Sequence, residues 1–166
     1  VAAGVFVMTG LVRVYWLFAG NQFERLPALF PVRKRDWVNL VTQVKYYLMI
    51  HPERAPHYIG HTPLQQLSYT TTSVVSIVVM FTGFAMYGQA APGGFFYTIT
   101  QPLTLAVGGI QVVRLVHHLC VWWFIIFPIM HIYLVIRKEI TERGGGLSGI
   151  VNGGHYIRAD KQYVDE

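Results

Sequence analysis

The stretch Val112-Val113-Arg114-Leu115-Val116-His117-His118-Leu119-Cys120-Val121-Trp122-Trp123-Phe124-Ile125-Ile126-Phe127-Pro128-Ile129-Met130-His131-Ile132-Tyr133-Leu134-Val135-Ile136 decides how the chain folds. Between Arg114 and Arg137 it contains no Lys, Arg, Asp or Glu. At ~1.5 Å of rise per residue a helix over this stretch outreaches the ~30 Å hydrocarbon layer of a bilayer. The segment therefore reads as a membrane crossing, with Arg137-Lys138 marking its exit. Pro128 is expected to bend it and to free the carbonyl of Phe124.

Working outward, 53% of the 166 residues are apolar and 13% charged, far below the ~25% charged content of soluble domains. A second apolar span covers residues 1–19, ending at Gly20-Asn21, with Trp16 and Phe18 suited to an interfacial belt. A third covers residues 63–87. It opens at Thr62-Pro63-Leu64-Gln65, where Thr62 can cap, Pro63 suits the first turn and Gln65 completes a capping box. The expected architecture is an all-α integral membrane helical bundle, one domain over residues 1–166 with three transmembrane helices at about 1–19, 63–87 and 112–136. Val1 lies inside an apolar run with no basic flank or cleavage site before it, so the sequence reads as a fragment preceded by further chain.

The connecting segments carry the charge. Six Lys or Arg lie in the surface loop 20–62, five in the tail 137–166, and none between Gly88 and Val113. Two crossings must separate the loop from the tail if both face the cytoplasm, so the loop 88–111 is expected on the periplasmic side of the inner membrane. The uncharged run Phe95 to Val113 is not counted as a crossing, because Pro102 and Gly108-Gly109 interrupt it. Within the first loop Trp37, Leu40, Val41, Val44 and Leu48 recur at helical spacing, which predicts a short helix on the membrane surface. The tail is expected to be irregular.

The net charge of +5 is explained by topology and by attraction to anionic lipid, and nucleic acid is excluded as a partner on that patterning. A single cysteine, Cys120, rules out an intrachain disulfide and any Cys-based cluster.

His117 and His131 are fourteen residues apart on one apolar helix, ~21 Å along its axis and about 40° short of four turns. They share a face at opposite membrane depths, whereas His118 is about 100° away from His117. An imidazole in hydrocarbon is either bonded to a neighbouring helix or a metal ligand. Two on one face favour ligation, and neutral imidazole suits haem iron. Zinc is disfavoured because span 112–136 has no Cys, Asp or Glu beside Cys120 to complete a tetrahedral set.

Gly4 and Gly83 offer room for a flat macrocycle, or simply let helices approach. Arg114 and Arg13 are candidate partners for haem propionates, Arg13 alternatively for a quinone carbonyl, and both can instead snorkel to the interface. His61, in a loop that also contains His51 and His57, is the candidate for proton uptake beside a quinone.

These residues resemble the b-type cytochrome subunit of membrane-bound nickel–iron hydrogenases, a family similar to the formate dehydrogenase cytochrome b subunit. The matching pieces are Arg13-Val14-Tyr15-Trp16-Leu17-Phe18-Ala19-Gly20-Asn21, Ile59-Gly60-His61-Thr62-Pro63, Thr82-Gly83-Phe84-Ala85-Met86-Tyr87, His117 with His131-Ile132-Tyr133, and Val151-Asn152-Gly153. The resemblance implies a four-helix cytochrome with two haem b groups, in which His117 and His131 each supply one axial ligand. The opposite ligand to His117 would fall immediately before Val1, and that to His131 on a helix further upstream.

The function so implied is electron transfer from the iron–sulfur small subunit of a periplasmic hydrogenase, itself joined to the large subunit, through haem to quinone. Hydrogen cleavage would belong to the partner. A structural anchor without electron transfer, or a proton-conducting path through His131 and Arg13, remains open at this point; the spans lack Asp and Glu, which such relays commonly use. A topology reporter fused at Pro92 is expected to read periplasmic, and a cytoplasmic signal there would overturn the charge-based orientation.

Overall fold

The computed structural model describes residues 2–20, 34–48, 50, 58, 61–142 and 153. Among the described residues five helices follow one another: α1 (Ala2–Ala19), α2 (Lys34–Tyr47), α3 (Pro63–Gly88), α4 (Phe95–Ala106) and α5 (Ile110–Glu142). There is no strand among the described residues. Three helical stretches among the described residues are long and apolar enough to cross a membrane: Ala2–Ala19, Pro63–Gly88 and Ile110–Ile140. Their apolar side chains point largely outward. Val5, Met8, Leu11 and Phe18 of α1 and Leu115, Leu119, Ile129 and Ile132 of α5 are all more than half exposed. Such surfaces are tolerable against lipid, where the hydrophobic penalty of water contact does not arise.

The chain divides into two compact units, residues 1–11 with 71–128 and residues 12–70 with 129–166. Helices α1, α3 and α5 contribute residues to both.

In the second of these units the start of α3 is capped as the sequence suggests. The Gln65 amide donates to Thr62 Oγ1 at 3.3 Å and the Thr62 amide to Gln65 Oε1 at 2.9 Å, with Pro63 fully buried in the first turn. A third orphan donor, the Leu64 amide, reaches Gln43 Oε1 of α2 at 3.3 Å.

Helix α2 thus turns polar residues inward, with Gln43 and Tyr46 buried, while Trp37, Val38, Val41 and Val44 are exposed. That inversion suits a helix whose outer neighbour is lipid rather than water. Its C-terminal carbonyls are satisfied by Arg137 of α5, which donates to the carbonyl oxygens of Tyr46, at 3.1 Å, and Tyr47. The guanidinium also lies 5.9 and 5.7 Å from the two ring centroids. A cation at that end complements the helix dipole.

In the first unit α3 passes into α4 through a tight turn. The Phe84 and Phe96 rings stack at 5.0 Å, and Tyr87 meets Phe96 edge-on at 5.6 Å. This approach depends on Gly88, because a Cβ there would sit 2.7 Å from the Tyr97 amide nitrogen. The α4–α5 turn needs Gly108 and Gly109, whose φ angles of 104° and 94° lie where L side chains are strained. Phe6 of α1 packs edge-on against Phe124 of α5 at 5.5 Å.

Two segments differ from the sequence reading. The region 88–111 contains the helix α4, whose 12 residues span only ~18 Å and so fall short of a crossing. Helix α5 begins at Ile110 and continues to Glu142, beyond the span 112–136 and into the tail expected to be irregular. Pro128 lies inside this helix. The remainder of the 20–62 loop and of the tail lies largely outside the described residues. Replacing Gly88 with Ala is expected to destabilise the protein by about 1–3 kcal/mol through the clash with Tyr97 backbone, seen as a lower thermal unfolding midpoint of the detergent-solubilised protein.

Candidate functional site

Helix α5 carries His117 half-buried against α3. Its Nδ1 lies 2.9 Å from Oγ1 of the buried Thr82. The next residue of α3 is Gly83, and a Cβ built on it would lie 3.6 Å from His117 Cε1. A methyl would make ordinary contact there, but any longer side chain would press on the imidazole. Thr82 and Gly83 therefore lie together along one edge of the ring.

His118 is treated differently. It is exposed, and its Nδ1 donates to the Arg114 carbonyl oxygen of the preceding turn at 2.7 Å. Its ring centroid is 6.4 Å from that of His117 with the planes nearly perpendicular. This divergence follows from the ~100° step between consecutive helical residues.

The other residues singled out in the sequence fall into two groups. Gly4, Gly83, Arg114 and His117 belong to the unit formed by residues 1–11 and 71–128; Arg13, His61 and His131 belong to the unit formed by residues 12–70 and 129–166. A Cβ at Gly4 would meet nothing within 4 Å. Arg114 is exposed near the start of α5, with Nη1 donating to Gln111 Oε1 at 3.5 Å. Arg13 is half-buried and His131 exposed. The half-buried His61 ring meets Tyr69 edge-on at 5.2 Å. His51 and His57 lie outside the described residues.

The donor chemistry fits a haem better than a bare ion. Among the described residues no three His, Cys, Asp or Glu side chains come together to hold a metal. A lone imidazole suits an axial position on a metal already held by four macrocycle nitrogens. The open space beside Gly4 and the missing side chain at Gly83 are compatible with a flat, apolar group.

Residues 1–153 match the family described as prokaryotic cytochrome b561. The chain belongs to that family. Like other similar proteins, its relatives include the "Probable Ni/Fe-hydrogenase B-type cytochrome subunit" of Azotobacter vinelandii, 38% identical over 96% of this chain and 68% of the relative. That of Azotobacter chroococcum mcd 1 is 37% identical with the same coverage. The "Probable Ni/Fe-hydrogenase 1 B-type cytochrome subunit" of Escherichia coli (strain K12) is 30% identical over 92% of this chain and 66% of its own length. No solved structure matches.

For this cytochrome b561 family member, sequence reading found His117 and Gly83 but gave Thr82 no role. A hydroxyl in an apolar span next to a glycine was the available signal, and only the register of α3 against α5 shows that it meets the imidazole. Gly83→Ala is expected to be accommodated. Gly83→Val should displace the His117 ring, giving a lower unfolding midpoint than Gly83→Ala by more than helix propensity alone accounts for.

Proposed function

We propose that this chain is the haem b-binding membrane subunit of a nickel–iron hydrogenase and relays electrons from a periplasmic partner to quinone. The observation that carries the reading is the His117 imidazole inside a membrane span, engaged at Nδ1 by Thr82 and flanked by Gly83. Membership of the cytochrome b561 family supports the haem. The names of the relatives, all hydrogenase B-type cytochrome subunits, support the partner.

On this reading His117 and His131 would each hold a haem through one ring nitrogen, at two depths of the membrane. Haem, when bound, would supply reversible one-electron chemistry. The protein supplies the rest. Helical backbones satisfy their own hydrogen bonds and keep water out of the span. Gly83 leaves room beside His117, and Gly4 is assigned to the same haem slot. Arg114, near the start of α5, offers positive charge for a propionate on the periplasmic side, and Arg13 does so in the other unit.

His61 and Arg13, in the same unit as His131, are the residues assigned to a quinone near the cytoplasmic face, His61 holding a proton and Arg13 a carbonyl oxygen. The iron–sulfur small subunit of the partner delivers the electrons, and its large subunit cleaves hydrogen. The inner membrane, with the partner on the periplasmic side, is the location this requires. The basic loop and tail then face the cytoplasm.

Reduced-minus-oxidised spectra of the protein purified with its partner test the reading. His117→Ala and His131→Ala are each expected to remove about half of the b-type haem signal, with His118→Ala unchanged. His131→Ala should also abolish quinone reduction while leaving dye-linked hydrogen oxidation by the partner intact. A wild-type protein without a b-type band would reduce the chain to a membrane anchor.

A further inference from the structure

We infer that Thr82 is the positioning residue for His117: its hydroxyl accepts the Nδ1 proton and so presents Nε2, bearing the lone pair, as the nitrogen that binds haem iron. This rests on the reading of His117 as a haem ligand and adds what selects its reactive atom.

The hydroxyl of Thr82 has one hydrogen and three near neighbours. Oγ1 lies 2.7 Å from the Val78 carbonyl oxygen, 3.1 Å from that of Val79 and 2.9 Å from His117 Nδ1. Both carbonyls can only accept. Were the hydrogen directed at Nδ1, Oγ1 would face Val78 oxygen at 2.7 Å with no proton between two lone-pair-bearing atoms. The hydrogen therefore belongs to the helix carbonyl, as in the usual back-bonding of Thr within a helix. Nδ1 must bring its own.

The Val79 carbonyl, 3.1 Å from Oγ1, is a second acceptor beside the same hydroxyl. With its own hydrogen committed to the helix, the hydroxyl oxygen is left to accept a proton from the ring. Imidazole that is neutral carries one, so protonation at Nδ1 leaves Nε2 as a free donor pair.

The need is one-sided. Thr82 is already satisfied by its own helix, whereas His117, in a span that offers no water, depends on Thr82. Gly83 puts no long side chain against the ring at this bond. An acceptor on the outer nitrogen of a ligating imidazole also raises its basicity and fixes its plane, effects that in comparable sites are worth about 10–100-fold in metal affinity.

The experiment compares Thr82→Val, Thr82→Ser and His117→Ala in the haem-containing protein purified with its hydrogenase partner, by haem quantification and redox titration of the b-type bands. Thr82→Val, nearly isosteric but without the acceptor, should weaken binding of one haem by about 10-fold and move its midpoint to a more positive potential, since a less basic ligand favours ferric iron less. The second haem should not move. Thr82→Ser, which keeps the hydroxyl, should restore both occupancy and potential.

Wild-type potential and occupancy in Thr82→Val would overturn the assignment. A Thr82→Ser variant as defective as Thr82→Val would do the same, by pointing to packing instead. If Thr82→Val loses that haem altogether, Thr82→Ser decides: a loaded site at the wild-type potential supports the inference, and an empty one overturns it. His117→Ala separates the two levels. Retention of both haems in that variant refutes the ligand reading, while loss of one haem alongside an unshifted Thr82→Val refutes only the role of Thr82.

Discussion

Hydrocarbon offers no hydrogen bonds, and every polar group placed in it must find a partner within the protein. That constraint organises this chain. Its backbone answers by forming helices. Several of its hydroxyls answer by bonding back to the preceding turn: Thr9 to Val5, Ser76 to Thr72, Thr82 to Val78, Thr100 to Phe96 and Thr104 to Thr100, all at 2.7 or 2.8 Å. An imidazole can do this too, as His118 does with the Arg114 carbonyl. His117 instead reaches across to α3. Two adjacent histidines thus solve the same problem in two ways, and the one held by a second helix is the one whose orientation the fold controls.

Small residues make that control possible. Association of helices in lipid rests on close packing rather than on escape from water, so backbone separation matters. Gly83 admits the His117 ring, and Gly88 admits the backbone of α4 at a distance no Cβ would allow. The short helix α4 returns the chain from α3 to α5 with its buried Thr100 and Thr104 satisfied internally. The register of α5 is thereby tied to that of α3 at the level of His117.

Around the other unit the device is different, because its polar groups lie close to charge. Gln43 extends the cap of α3, and Arg137 closes the C-terminal end of α2 while stacking near Tyr46 and Tyr47. Helix dipoles and orphan termini are satisfied there by side chains from distant parts of the sequence. His131, Arg13 and His61 share this unit, whereas His117, Arg114, Gly4 and Gly83 share the other.

Much of this was determined by sequence alone. The crossings follow from uninterrupted apolar runs and the start of α3 from Thr62, Pro63 and Gln65, since each is a local or single-helix property. The same locality explains the errors. The apolar pattern shows where hydrocarbon ends but not where a helix ends, so α5 outran its expected limit at Ile136 and α4 was read as loop. What only the tertiary structure decided is which polar side chains meet: Thr82 with His117, Gln43 with Leu64, Arg137 with Tyr46 and Tyr47. Those pairings depend on the register between helices far apart in the chain, and helical periodicity fixes the face of a residue without fixing the neighbour it faces.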